Sequence, residues 1–328
     1  MTAEGIRAGA RLEAALLDDL PALVALRTAL ACGLFAGGPL PPEAGWVADT
    51  LLALGALERG ASGWQPTLAM RALLDPPGDL AVRADFIARA ASDLLRDGTL
   101  MSRDPAAFLA RAETFRFFRY DRARGTGAAQ IEDTAPWVAY VTALSRREAP
   151  HLAPLLPLAG CADLLEIGGN TGVMAETLLA AHPGMRACVL DLPAVCHLGR
   201  ARMRGRSQAD RLDFLPGDAR SLPWPAADAV LFKSVLHDWT LPEATALLQR
   251  AIAALRPGGR IVVCERGALR DDPPPRGLSA AANLVFAPFY RAPAAYAAVL
   301  EAAGLRLWPA RQVTLDMTFH VLVAEAPS

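Results

Sequence analysis

The run Leu164-Leu165-Glu166-Ile167-Gly168-Gly169-Asn170-Thr171-Gly172 passes from apolar residues into a cluster of glycines. A short apolar run that stops at glycines predicts a strand entering a tight turn, with a helix beyond it. Glycines at such a turn allow positive φ and a close approach of the backbone to a ligand. Alone the turn is a weak signal, because any tight strand-to-helix connection can carry one. The dehydrogenase fingerprint fits poorly, since Gly168, Asn170 and Val173 do not give G-x-G-x-x-G.

The sequence on either side strengthens the reading. Ala162–Ile167, Arg186–Leu190, Leu212–Leu215, Ala229–Phe232 and Arg260–Cys264 read as strands. Gly172–Ala181, Ala194–Arg204 and Pro242–Leu255 read as the helices between them. Such alternation predicts a parallel sheet covered on both faces. Leu305–Pro309 and Thr318–Val323 are candidates for two further strands. Thr240 and Glu243 around Pro242 form a capping-box start, and Pro257-Gly258-Gly259 a stop, for the last of these helices. Two more acidic strand ends fall in register with the glycine turn. Val189-Leu190-Asp191-Leu192-Pro193 ends the next strand, where a carboxylate can accept from both hydroxyls of a ribose or simply cap the following helix. Gly217-Asp218-Ala219 ends a third, within reach of an adenine amino group.

Before Cys161 the character is different. Residues 1–148 are rich in Ala, Leu and Arg and poor in β-branched runs, so they read as mainly helical. Glu13–Leu30, Val47–Leu57, Asp79–Arg96 and Trp137–Arg147 are the expected helices, with Gly60-Ala61-Ser62-Gly63 as a turn between two short extended pieces. Helix, helix, hairpin is the order of a winged-helix unit. Residues 149–328 form the expected second domain.

Composition narrows the function. The chain has 328 residues, 53% hydrophobic and 20% charged, which suits a folded protein with a large core. A net charge of -1 gives no global attraction to nucleic acid or anionic membrane. The winged-helix-like stretch Pro41–Leu57 holds no Arg or Lys, against the phosphate contacts that duplex binding needs. Arg200, Arg202, Arg204, Arg206 and Arg211 read as a solvated helix face and loop. Cys32, Cys161, Cys188, Cys196 and Cys264 form no C-x-x-C pair, so neither zinc nor a redox pair is expected, and no metal site is. The N-terminus has no basic-then-apolar leader, and no uncharged apolar run reaches the ~18 residues of a membrane span. A cytoplasmic protein without nucleic-acid partner or membrane span is the expectation.

Glu166 to Gly172, Asp191-Leu192-Pro193, Gly217-Asp218, Lys233-Ser-Val-Leu-His237-Asp238-Trp239 and Arg256-Pro-Gly-Gly259 occur in one order. In that order they resemble the plant-type small-molecule O-methyltransferases, the family of caffeate, hydroxyneurosporene and acetylserotonin methyltransferases and their bacterial relatives. The resemblance implies a Rossmann-like, seven-stranded class I methyltransferase sheet behind a winged-helix-like dimerisation domain. It implies S-adenosylmethionine as cofactor, a small-molecule acceptor and a homodimer. Glu166, Gly168, Gly169, Asp191, Leu192, Asp218, Ala219 and Lys233 are the candidate cofactor residues. Lys233 is the chain's single lysine among 33 basic residues, and a guanidinium does not replace a compact ammonium at a tight site. Asn170 departs from the family's usual glycine, an expected small reshaping of the turn.

The resemblance also assigns chemistry. Methyl transfer to oxygen needs alignment and removal of a hydroxyl proton, a task suited to histidine. His237 matches the family's base and Glu265 the carboxylate that orients it, whereas Trp239 reads as packing. Where the family carries a second carboxylate, this chain has Tyr290 in Phe289-Tyr-Arg-Ala-Pro293. Phe117, Asn283, Phe286 and Tyr290 are the candidate acceptor residues, with Phe118 and Tyr120 nearby. The altered position keeps two alternatives open: the same cofactor site serving C-methylation, hydroxylation or decarboxylation, and a non-catalytic winged-helix binding protein.

Overall fold

The computed structural model describes residues 3–327 apart from 41, 61, 62 and 77. The chain divides into two compact units, Met1–Phe117 with Pro274–Phe286, and Phe118–Pro273 with Ala287–Ser328.

The first unit is mainly helical. The single helix expected over 13–30 is two, Ala3–Asp18 and Leu20–Ala31. The break lies at Asp19, whose side chain accepts from the Ala22 N–H at 3.0 Å, with a proline in the first turn of the new helix. The next helix spans Gly45–Ala53 and stops short of the expected Leu57, because Gly55 turns the chain at φ 73°. Leu57 instead opens β1 (Leu57–Gly60), which pairs antiparallel with β2 (Gly63–Pro66). Ala61 and Ser62 of the expected turn lie outside the described residues. Leu16, Leu23, Leu26, Val47, Leu51, Leu57 and Met70 close this core. The helix Asp79–Arg103 outruns its expected end at Arg96, and buried Asp93 receives the Thr114 N–H at 2.7 Å and its hydroxyl at 2.8 Å.

The second unit opens with the helix Ala128–Leu152, much longer than the expected 137–147. Five parallel strands follow: β3 (Asp163–Ile167), β4 (Arg186–Asp191), β5 (Leu212–Pro216), β6 (Ala227–Lys233) and β7 (Leu255–Arg266). β8 (Arg306–Leu307), β9 (Arg311–Thr314) and β10 (Thr318–Glu325) complete the sheet, with β10 antiparallel to β7. The order is β5-β4-β3-β6-β7-β10-β8, and β9 pairs with β10. The five parallel strands are what the alternation predicts, and the whole is the α/β class I methyltransferase arrangement that the resemblance implies. Its expected helices are Val173–Ala181, Pro193–Met203 and Leu241–Ala254. The Thr240–Glu243 capping box is present, with the Thr240 N–H 3.1 Å from the Glu243 carboxylate. Pro257-Gly258-Gly259 is not the helix stop. The helix ends at Ala254, and the proline and glycines ride inside β7, where a register shift opposite Ala227 and Ala229 accommodates them.

The basic run is structural rather than merely solvated. Arg202 donates to Glu176 at 2.7 and 2.8 Å, Arg206 pairs with the same carboxylate, and Arg211 donates to the Leu179, His182, Pro183 and Met185 carbonyls. These three of the five arginines therefore staple helix ends rather than simply face water.

β3 lies between β4 and β6, so the strand order reverses there. A crevice at the carboxyl ends of β3 and β6 is where an open α/β sheet binds its ligand.

Candidate active site

A cavity opens at that crevice, within the second unit. Its wall includes Gly168, Asn170, Asp191, Leu192, Asp218, Ala219, Asp238 and Trp239, with Tyr120, Arg124 and Trp137 from the start of the unit.

The glycine turn forms its floor. Gly168 takes φ 64°, and a Cβ there would lie 2.8 Å from Cγ2 of Val235. Asn170 also takes a positive φ, 54°. Its side-chain oxygen accepts from Thr142 Oγ1 at 2.9 Å and from the Thr171 N–H at 2.7 Å, which holds the turn in place of a glycine's freedom. Asp191 at the end of β4 accepts the Asn170 N–H at 2.8 Å and the Leu192 N–H at 2.7 Å. Burial lifts its carboxyl to about 6 against those two donors. Asp218 after β5 is in the opposite state. Arg220 grips it at 2.7 and 3.0 Å, Arg124 stands 3.6 Å away, and the carboxyl is held down at about 2.

Among the candidate cofactor residues, then, Gly168, Asp191, Leu192, Asp218 and Ala219 share one cavity wall. Glu166, Gly169 and Lys233 are not on that wall. Glu166 is buried beneath the turn, accepts the Ala175 N–H at 3.1 Å, and is lifted by desolvation to about 8 despite the pull of Lys233. Gly169 is small because Glu166 is there: a Cβ would sit 2.7 Å from the Glu166 carboxyl carbon. The Lys233 ammonium pairs with buried Glu148 and lies 3.4 Å from Ser145 Oγ. Trp239, read from sequence as packing, is on the cavity wall with the Arg220 guanidinium 4.7 Å over its ring.

The proton-handling residues stand at the ends of β6 and β7. Glu265 Oε1 accepts the N–H groups of Val235 and Leu236, both at 2.7 Å. Its other oxygen is 2.7 Å from Nδ1 of His237. A carboxylate at that distance assigns the proton to Nδ1 and leaves Nε2 as the acceptor. Burial opposes charging of His237, but the carboxylates of Glu265 and Asp238 outweigh it, and its pKa is raised. Tyr290 packs edge-on to the imidazole, with centroids 5.3 Å apart.

Of the other acceptor candidates, Phe117 and Phe286 belong to the first unit, where both rings pack on Phe86 at 5.8 and 6.3 Å. Asn283 lies in the same unit on the short helix Ala281–Leu284. Phe118 and Tyr120 belong to the second unit, packed 6.2 and 5.3 Å from Trp137.

Three residues escaped the sequence reading. Arg291 donates to the Leu236 carbonyl at 3.1 Å and to the Trp239 carbonyl, bracing the loop that carries His237. Glu148 bridges Lys233 and buried Arg266, the latter at 2.6 Å. Thr142 supports Asn170. Glu148 and Thr142 lie on a helix whose inward face carries polar residues, so apolar periodicity gave no signal for them. The only signal for Arg291 is its place beside Tyr290.

The cavity combines the Asp191 and Asp218 carboxylates with apolar Leu192 and Ala219 and an aromatic wall, a lining that suits a ligand with hydroxyl groups and a flat apolar part. Among the described residues no group of His, Cys, Asp and Glu is arranged to hold a metal ion, and no helix is long and apolar enough to cross a membrane.

Comparison with known proteins agrees with this geometry. Among curated relatives, a mitomycin biosynthesis 6-O-methyltransferase of Streptomyces lavendulae is 31% identical over 202 residues, 57% of this chain and 56% of that protein. The acetylserotonin O-methyltransferase of Bos taurus is 37% identical over 102 residues, 31% of this chain and 29% of that one. The chain thus spans about half the length of the first of these relatives, or less. Among solved structures, mitomycin 7-O-methyltransferase superposes with a TM-score of 0.69 at 26% identity, covering 93% of this chain and 94% of that one. Human N-acetylserotonin methyltransferase in complex with S-adenosylmethionine shares the fold, with a TM-score of 0.70 at 18% identity over 93% and 94% of the two chains. Residues 120–306 match the family described as the O-methyltransferase domain, and the chain belongs to that family.

Proposed function

We propose that this protein transfers a methyl group from S-adenosylmethionine to a hydroxyl of an aromatic or polyketide-type small molecule, with His237 as general base. The observation that carries the reading is the His237–Glu265 pair at 2.7 Å beside a cavity with two strand-end carboxylates. Asp191 would hold the ribose hydroxyls, and Leu192 and Ala219 would flank the base. S-adenosylmethionine, when bound, supplies a methyl group already activated by its sulfonium. The work left to the chain is alignment and proton removal. His237 Nε2 takes the hydroxyl proton, and the oxygen so freed is the nucleophile. Glu265 fixes the tautomer and offsets the imidazolium charge. The relatives' names support the substrate class: one serves mitomycin biosynthesis, and others act on 3-hydroxy-5-methyl-1-naphthoate, chavicol, eugenol and demethylspheroidene.

The domain roles belong to the same proposal. Residues 1–148 would serve dimerisation and cover the acceptor, and residues 149–328 would bind the cofactor. Phe117, Asn283, Phe286 and Tyr290 would face the acceptor. A cytoplasmic homodimer is the assembly this reading implies, and exposed Leu20, Val24 and Trp46 on the first unit offer apolar surface for it. Light scattering that gives one chain's mass at micromolar concentration removes the dimer.

The test is calorimetry with S-adenosylmethionine, followed by methyl transfer from labelled cofactor to a panel of phenols. Wild type is expected to bind the cofactor. Asp191→Ala is expected to weaken binding by about 100-fold, as loss of a charged hydrogen-bond acceptor does. His237→Ala is expected to bind yet lose about 10²- to 10⁴-fold in turnover. A folded wild type that binds no cofactor sinks the proposal. Equal turnover in His237→Ala would favour the hydroxylation or decarboxylation alternative, to which Tyr290 in place of a carboxylate points.

A further inference from the structure

Tyr120 and Asp238 form a second acidic arm on His237 that neither the sequence motif nor the Glu265 pair requires. Tyr120 stands at the start of the second unit, and its ring is fixed edge-on to Trp137 at 5.3 Å and against Phe118 at 6.1 Å. Its hydroxyl lies 3.1 Å from Oδ2 of Asp238. The other oxygen of that carboxylate, Oδ1, lies 3.5 Å from Nε2 of His237. This is too long for a good hydrogen bond and short enough for a strong electrostatic effect. In the proposed reaction Nε2 is the nitrogen that receives the hydroxyl proton, and the charge it acquires meets a carboxylate on each side of the ring. Both Tyr120 and Asp238 border the cavity.

Glu265 and Asp238 are the two carboxylates that act most strongly on His237. Position 290, where the family resemblance leads one to expect a carboxylate, holds a tyrosine that packs edge-on to the imidazole. The titratable groups facing His237 are Glu265 and Arg266 from β7, Asp238 from its own loop, and Tyr290 from the 287–293 segment. Arg291 approaches the same loop but spends its donors on the Leu236 and Trp239 carbonyls. Asp238 is the exposed residue of the 3₁₀ turn Leu236–Asp238, whose Leu236 and His237 are buried, so its carboxylate has water open to it. The Tyr120 hydroxyl, 3.1 Å away, is in hydrogen-bonding contact with that carboxylate.

We infer that Tyr120 is a positioning residue for proton removal: its hydroxyl holds Asp238 so that the carboxylate flanks Nε2 of His237 and replaces the acid missing at position 290. The inference rests on the proposed methyl transfer for its role in turnover. The positioning itself can be read in the ligand-free protein.

The experiment is an NMR titration of the His237 imidazole in wild type, Tyr120→Phe, Asp238→Asn and the double variant, with the signal assigned by its loss in His237→Ala. Removing the anion lowers the imidazole pKa, because the imidazolium loses a favourable neighbour. Asp238→Asn is expected to lower it by about one unit, and Tyr120→Phe by about half a unit. The double variant is expected to match Asp238→Asn alone, since the tyrosine acts only through the carboxylate. An unchanged titration in Tyr120→Phe, or shifts that add in the double variant, overturns the inference whether or not the protein methylates. If methyl transfer is also measured, the acidic limb of kcat/KM should move to lower pH in the same order. A change confined to KM would make Tyr120 a mere wall of the cavity and would also overturn the inference.

Discussion

Acids line the carboxyl edge of one sheet, yet the β3–β4 side and the β6–β7 side treat them differently. Glu166 and Asp191 meet backbone N–H groups, and burial lifts both carboxyls. Glu265 also takes two backbone N–H groups, but its remaining oxygen faces an imidazole, and the raised pKa there belongs to the histidine. The first arrangement shapes a rigid turn, and in the proposed function its Asp191 would accept from a ligand's hydroxyls. The second ties an acid to a base so that a charge can appear on the base at low cost. The same residue type at equivalent strand ends becomes a binding group or a proton-handling group according to its partner.

Glu265→Gln breaks the β6–β7 side with the largest effect. The glutamine oxygen can still accept from Val235 and Leu236, so the loop should persist. Its amide NH₂ then faces Nδ1 and donates to it, which moves the ring proton to Nε2. The nitrogen that must accept a proton is thereby filled. Turnover is expected to fall about 10²- to 10⁴-fold, as when an orienting carboxylate is neutralised in a triad. Cofactor affinity by calorimetry should change little. A variant as active as wild type would show that His237 needs no fixed tautomer.

Glu166→Gln tests the β3–β4 side through stability. The Glu166 carboxyl titrates at about 8 in the fold against an ordinary 4.5, so the folded chain holds that proton more tightly than the unfolded one. The resulting stabilisation is fully present below pH 4.5 and is lost as pH rises to about 8. Urea unfolding of the ligand-free wild type should therefore show stability falling across that window, with Asp191 adding in the same sense at its lower end. The glutamine variant should be flatter, by an amount on the order of a few kcal/mol at pH 8.5. Parallel pH profiles for the two proteins would mean that Glu166 is charged and compensated in the fold.

The contrast also explains what the sequence could reveal. Buried parallel strands are short apolar runs, so β3 to β7 were legible within one or two residues at most ends. Their terminal acids were legible because a charge at the end of an apolar run has no packing role. β9 was missed because Arg311–Thr314 is a polar edge strand with only one side paired. The helix 128–152 was read at less than half its length, since Pro136 and Pro150 lie inside it and its buried face carries Thr142, Ser145 and Glu148. The Glu148 pairs with Lys233 and Arg266 followed from no motif. They depend on three elements meeting, and local pattern contains no information about that. Lys233 stood out as the only lysine, but composition could not say that its partner is a glutamate of the same chain.

Asn170 makes the sharpest small test, because two opposite effects meet there. It occupies φ 54° in a turn whose resemblance to the family leads one to expect glycine. Asparagine tolerates that region at a cost of about 1 kcal/mol or less, and glycine would remove this strain. Glycine would also add freedom to the unfolded chain, which costs about 0.4–1 kcal/mol and cancels most of the gain. The deciding contribution is the side-chain oxygen. It accepts from Thr142 Oγ1 and from the Thr171 N–H in a buried site, and each such bond is worth about 1 kcal/mol. The Thr142 hydroxyl keeps contacts with Val138 and Thr171, so it is not stranded when Asn170 is lost. The Thr171 N–H is stranded. Asn170→Gly is therefore expected to destabilise the protein by about 1–2 kcal/mol in thermal or urea unfolding, a shift of only a few degrees in Tm for a chain of this size. Thr142→Val leaves the turn's backbone untouched but removes the hydroxyl's bonds to Asn170 and Thr171 together, so it should cost about as much as Asn170→Gly. A glycine variant more stable than wild type would mean that strain outweighs hydrogen bonding at the turn. The asparagine would then be retained for the ligand it faces across the cavity rather than for the fold.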